Sequence, residues 1–253
     1  MKLNYKKYGT GTPLLILHGL FGSLDNWQTL GKKFAENHEV YLIDLRNHGK
    51  SPHSETFDYV DMATDVANLC EEENLENITL LGHSMGGKTA ITFSVEFPHL
   101  LSKLIILDIG PKKYQPHHDE ILEGLFSLDL EKITSRRQAD EILEKKIKNQ
   151  GIRLFLLKNL KRNENGGYKW KMNLELLAKN IETIIGLSDI PFPINIPTLF
   201  IRGGESNYIL DSDFEEIEKL FPQSEIETID GTGHWIHAEK PMELLEVVEE
   251  FVG

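Results

Sequence analysis

Short, nearly unbroken apolar runs recur along this chain and alternate with stretches in which apolar residues return every three or four positions. The runs at 14–17, 40–44, 78–81, 104–108, 198–201 and 226–229 are too short for core helices and lack the polar alternation of half-exposed strands. They predict strands buried on both faces, with 3–8 as an outer strand. Helical spacing or caps predict helices at 27–37, 59–73, 88–97, 213–221 and 241–251, the last with Pro241 at its first position. Strands alternating with helices imply an α/β fold, a mostly parallel sheet flanked by helices on both faces.

The alternation fails between Asp108 and Pro197, where helical patterns occur without a convincing parallel strand. Ile121, Leu122, Leu125 and Phe126, then Ile142, Leu143 and Ile147, then Phe155, Leu156 and Leu160, recur at helical intervals and form amphipathic faces. Residues 111–190 are therefore expected to be an inserted helical lid on a core made of 1–110 and 191–253. Its apolar faces pack on one another and roof a pocket. The NENGG stretch at 163–167 predicts an exposed turn within it.

Composition narrows the function. A length of 253 residues suits one domain, and 40% hydrophobic residues suit a globular chain. No stretch is long enough to span a bilayer, and MKLNYKKYG lacks the apolar run of a signal peptide, so a cytoplasmic location is expected. The lone Cys70 has no internal disulfide partner; with Met62, Val66 and Leu69 it falls on one helix face, a packing position. A formal net charge of −13 argues against nucleic-acid or anionic-membrane partners and favours a small, neutral substrate. A monomer or weak homo-oligomer is expected. No cofactor or metal is implied: HEXXH is absent, the cysteine is isolated, and no phosphate-binding loop occurs at the required spacing.

The chemistry concentrates in ITLLGHSMGGK at 78–88, where Ser84 stands between Gly82 and Gly86, directly after an apolar strand and before a helix. A serine hydroxyl needs projection from the backbone, a base, and donors for the oxyanion. A GxSxG strand-to-helix turn supplies the projection, and the N–H of Met85 at the helix start supplies a first oxyanion donor. The pentapeptide alone also describes a glycine-rich helix start that binds nothing, so the partners of Ser84 decide its meaning.

His234 is the best base, because it follows the last strand in a glycine-flanked loop, DGTGHWIHAEKP. His237 is its main rival, whereas His18 and His48 read as hydrogen-bonded structural residues. The acid must accept a hydrogen bond from the histidine and fix its tautomer. The loop RGGESNYILDS after the strand at 198–201 has Ser206 and Asn207 where a carboxylate is wanted, leaving Glu205 and Asp211 as fallbacks. Asp108, ending the preceding strand, is favoured. LHGLFG at 17–22 offers the N–H of Leu20 as the second oxyanion donor. Phe21, Tyr208, Trp235 and Trp27 are aromatic residues able to shape a substrate pocket. Lys88, Lys112 and Lys113 are cations able to offset the acidic surface for a CoA thioester, although Lys88 at a helix start equally suits packing or an ion pair.

Four segments, HGLFGSLDNW, DLRNHGKSP, GHSMGGKTA and GHWIHAEKP, together resemble the YbfF-type acyl esterases of the α/β-hydrolase superfamily. The likeness runs from about Leu14 to the C-terminal helix. It implies the α/β-hydrolase fold with a helical lid, and a serine esterase or thioesterase acting on short to medium acyl chains, acyl-CoA among them. It also implies the acid after the earlier strand, matching Asp108. An aspartate in place of Ser84 would mark a dehalogenase or epoxide hydrolase. A carbon–carbon bond hydrolase or perhydrolase would share the same machinery, and a binding protein that has lost catalysis would share only the fold.

Overall fold

The computed structural model describes every residue except His117, Asn165 and Ser188. In chain order the strands are β1 (Asn4–Tyr8), β2 (Thr12–Leu17), β3 (His38–Asp44), β4 (Ile78–His83), β5 (Leu101–Leu107), β6 (Leu160–Arg162), β7 (Tyr168–Trp170), β8 (Thr198–Gly203) and β9 (Ser224–Ile229). The helices are α1 (Gln28–Phe34), α2 (Tyr59–Glu72), α3 (Met85–Glu96), α4 (Asp119–Phe126), α5 (Arg136–Leu143), α6 (Gln150–Leu157), α7 (Leu174–Lys179), α8 (Ile181–Ile185), α9 (Phe214–Leu220), α10 (Ile236–Glu239) and α11 (Pro241–Val252).

Seven strands form one sheet in the order β1-β3-β2-β4-β5-β8-β9. Only β1 runs antiparallel, against β3. The central strand β4 is buried along its whole length, as continuous apolar strands covered on both faces must be. Residue parity assigns the two faces. Leu15, Leu17 and Tyr41 join a core with α2 and α3, while Leu14, Ile16 and Leu42 join Phe34 of α1 and Leu244 and Val248 of α11 on the other side. The edge strand β9 instead alternates, exposing Glu225 and Glu227, charges that oppose pairing with another sheet.

Several boundaries differ from the sequence reading. Strands β2, β3 and β5 begin earlier than their apolar runs, because backbone pairing such as Thr12 with His38 continues past the buried positions. Asp108 lies one residue beyond β5, with φ at +48°. Helix α3 starts at Met85 rather than residue 88, immediately after the chain turns at Ser84. The stretch expected to be the lid, 111–190, contains α4 to α8 and the antiparallel pair β6–β7, two three-residue strands too short for periodicity to reveal. Of the predicted turn at 163–167, Asn165 lies outside the described residues. The rest joins β6 to β7, with Gly166 and Gly167 both at positive φ. Cys70 is buried in α2, as its helical position suggested. Among the described residues no helix is long and apolar enough to cross a membrane.

Phe34 is fully buried against the α11 face of the sheet. Truncation in Phe34→Ala should remove about 3–5 kcal/mol of stability, read as a lower urea midpoint with an unchanged m-value.

Candidate active site

The C-terminal ends of β2, β4, β5 and β9 meet at one edge of the sheet, and each is followed by a residue singled out in the sequence. Ser84 follows β4 with φ +54° and ψ −117°, a strained conformation that lifts its side chain off the strand and starts α3 at the next residue. Two glycines make room for this turn. A Cβ on Gly82 would stand 2.2 Å from the Gly86 carbonyl oxygen, and one on Gly86 would stand 2.5 Å from that of Leu17. The Ser84 N–H is bound to the Leu107 carbonyl at 3.1 Å, so it is not an oxyanion donor. Met85 opens α3, where an N–H has no intrahelical acceptor.

The loop after β2 is held by a histidine whose tautomer follows from its contacts. His18 Nε2 accepts from the Leu45 N–H at 3.1 Å, so Nδ1 carries the proton and donates to the Gly19 carbonyl at 2.8 Å. The same carbonyl accepts from the Gly22 N–H at 2.9 Å. Because the peptide group is planar and trans, fixing the Gly19 C=O fixes the Leu20 N–H in the opposite direction. Phe21 follows at φ +57°, and its carbonyl accepts from the side chain of the buried Asn159, between α6 and β6.

His234 Nδ1 lies 2.7 Å from Asp108 Oδ2. Asp108 is fully buried, and its carboxylate also accepts from the Gly203 N–H at 3.1 Å and from the Ser206 hydroxyl. Three donors therefore compensate a charge that burial alone would make costly. The fallback acids stand elsewhere: Asp211 is exposed and pairs with Arg202 at 2.6 Å, and Glu205 is exposed. His237 is buried, stacked on Trp27 at 4.6 Å between ring centroids, and outside the cavity described next. Trp27 likewise packs in the core.

A cavity of about 420 Å³ opens over this edge, lined by Ser84 and His234 together with Leu20, Phe21, Tyr208 and Trp235. Tyr208 stacks on the His234 ring at 3.9 Å, and Trp235 meets Phe155 of α6 at 4.1 Å. Ile121 of α4, Ile152 and Leu156 of α6 form its apolar roof. The three cations considered for an anionic substrate are engaged. Lys112 pairs with Asp213, and Lys113 lies 3.6 Å from Glu182. Lys88 is buried, donating to the Ile185 carbonyl at 2.6 Å and to that of Gly186. Burial lowers its pKa to about 7. Among the described residues no group of three or more His, Cys, Asp or Glu is arranged to hold a metal ion.

Sequence reasoning missed three contributors. Ser206 occupies the place where an acid was sought and instead donates to the Asp108 carboxylate, just beyond β5. Asn159 reaches the Phe21 carbonyl from 138 residues away. His83 Nε2 donates to the His234 carbonyl at 2.9 Å, so the strand that presents Ser84 also anchors the histidine loop. Only Ser206 left a trace in the sequence, as the missing carboxylate of the RGGESNY loop.

The model of the alpha/beta hydrolase fold family matches residues 12–241. The chain is 38% identical to the sn-1-specific diacylglycerol lipase ABHD11 of Danio rerio, over 96% of this chain and 79% of that protein. It is 33% identical to the esterase YbfF of Escherichia coli over the full length of both. Among solved structures, a marine microorganism esterase superposes with a TM-score of 0.96 at 41% identity, covering 99% of each chain. The chain belongs to the alpha/beta hydrolase family and is a hydrolase, as its four motifs implied.

Four fully buried histidines are held neutral, mainly by desolvation. His18 falls to a pKa of about 4, His48 and His237 to about 3, and His83 well below its ordinary value of 6.5. In the unfolded chain each titrates near 6.5, so below that pH the unfolded state takes up protons that the folded state refuses. Stability should be independent of these four histidines above about pH 6.5. It should fall as the pH drops toward 4, by up to about 1.4 kcal/mol per pH unit for each histidine. Urea titrations at several pH values check this, and His237→Phe should lower the slope by one histidine's share.

Proposed function

We propose that the chain is a serine carboxylesterase in which Ser84 is the nucleophile, His234 the general base and acid, and Asp108 the carboxylate that orients it. The observation that carries this reading is the 2.7 Å contact between His234 Nδ1 and the buried Asp108 carboxylate, with His234 and Ser84 lining one cavity. With Nδ1–H committed to Asp108, His234 Nε2 is the lone pair that takes the Ser84 proton as the hydroxyl attacks an acyl carbonyl. The N–H groups of Leu20 and Met85 receive the oxyanion, one fixed by the His18 bond to its peptide and the other unpaired at a helix start. Collapse of the tetrahedral intermediate sends the His234 proton to the leaving alcohol. Water, activated by the same nitrogen, then releases the acid and restores the serine.

In this reading residues 111–190 act as a cap, and Phe21, Tyr208 and Trp235 contact substrate. The diacylglycerol lipase and esterase names of the relatives agree with ester chemistry. Simple oxygen esters fit better than CoA thioesters, since Lys88, Lys112 and Lys113 are each engaged within the protein.

A fluorophosphonate should add one label to the wild-type protein and none to Ser84→Ala in intact-mass analysis; labelling that persists in the folded variant would contradict the assignment. Asp108→Asn should remain folded and lose about 10³- to 10⁴-fold in kcat toward an activated ester, because the histidine is no longer held in its productive tautomer.

A further inference from the structure

Ser84 borders two spaces of unequal size. One is the 420 Å³ cavity, which His234 also lines. The other, on the side that His234 does not line, is a niche of about 20 Å³ closed by Met85, Lys88, Ile109, Tyr114, Ile184 and Tyr208. About 10–15 Å³ of such volume holds one water, so the niche takes a methyl group or little more.

The chemistry assigns the two spaces. In a serine hydrolase the leaving oxygen must receive its proton from the histidine that activated the serine, so the alcohol half of an ester lies on the His234 side. The acyl chain then points the other way, beside the two residues whose N–H groups face the carbonyl oxygen, Leu20 and Met85, both of which border the niche. We propose that the enzyme selects acyl groups of acetyl size carried on bulky, apolar alcohols. This inference rests on the Ser84–His234 reading given above.

The niche is built to stay small. Its wall from α8 is tied down at three successive carbonyls: Ile184 accepts from the Tyr59 hydroxyl, Ile185 from Lys88 and from the Tyr114 N–H at 3.0 Å, and Gly186 from Lys88. Lys88 belongs to α3 and Tyr59 to α2, so this wall is fastened to the sheet core as well as to Tyr114 of the insertion. A longer acyl chain must break these bonds or distort a packed wall, and overfilling a packed site is unfavourable. The roof of the larger cavity is apolar at Ile121 of α4 and at Ile152 and Leu156 of α6, with Glu120, Lys148 and Asn149 also lining it, and these apolar side chains accept a hydrophobic alcohol.

The test holds one half of the ester constant and varies the other. With 2-naphthol as the alcohol, kcat/KM should fall by about tenfold or more from acetate to butyrate and again to hexanoate. With acetate as the acyl group, lengthening the alcohol from ethyl to octyl should lower KM several-fold, as added methylenes enter the larger cavity. Ile184→Ala and Lys88→Met, which enlarge the niche or release its wall, should each raise the butyrate-to-acetate ratio. A hexanoate ester cleaved as fast as the acetate, with fluorophosphonate still labelling Ser84, would overturn the acyl-size inference and leave the esterase reading standing. Failure of every ester together with absence of the label would overturn both.

Discussion

The arrangement depends on one buried carboxylate. Asp108 has no solvent exposure, and a lone charge in that position would be untenable without compensating donors. It finds them on three separate segments: the N–H of Gly203 in β8, the hydroxyl of Ser206 in the loop beyond, and the ring of His234 after β9. The same interaction that makes the charge tolerable fixes the imidazole. The proposed acid therefore works from the strand beside the one that would ordinarily present it, and Ser206 fills the vacated place with a donor.

Around that carboxylate the site has a hydrogen-bonded floor and a roof. The floor includes the strained turn at Ser84, the loop after β2 held through His18, and the end of α8 fastened by Tyr59 and Lys88. Burial lowers the pKa of Lys88 to about 7, yet its ammonium is directed at two carbonyl oxygens, so it acts as a bolt rather than as a ligand for substrate. The roof, α4 and α6, meets the site through Ile121, Ile152 and Leu156, and just past α6 the Asn159 side chain donates to the Phe21 carbonyl. Strain at Phe21, Ser84 and Asp108, all at positive φ without being glycine, is concentrated where the chain leaves the strands, as expected where geometry serves chemistry.

Much of this was legible before any coordinates, and the reason is local. Unbroken apolar runs revealed the buried strands of the parallel sheet, and glycines flanking Ser84 revealed the turn, because both signals are written within a few consecutive residues. The β6–β7 pair was not legible, since three residues are too few for an alternation of period two to stand out. Nor were Ser206 and Asn159, whose partners lie 98 and 138 residues away in the chain. Lys88 illustrates the intermediate case: its place at a helix start was visible, but its partners, the Ile185 and Gly186 carbonyls, lie 97 and 98 residues away in the chain. The rival His237 lies outside the cavity, stacked on Trp27 in a position no spacing rule foretells.

The bond between His234 and Asp108 can be observed directly by proton NMR, where an imidazole N–H donating to a carboxylate gives a far-downfield resonance. The wild type and Ser84→Ala should both show it, and Asp108→Asn should lose it while remaining folded, with Glu205→Gln leaving it in place. A resonance that survives in Asp108→Asn, or that disappears in Glu205→Gln, would contradict the assignment of Asp108 as the carboxylate that holds His234.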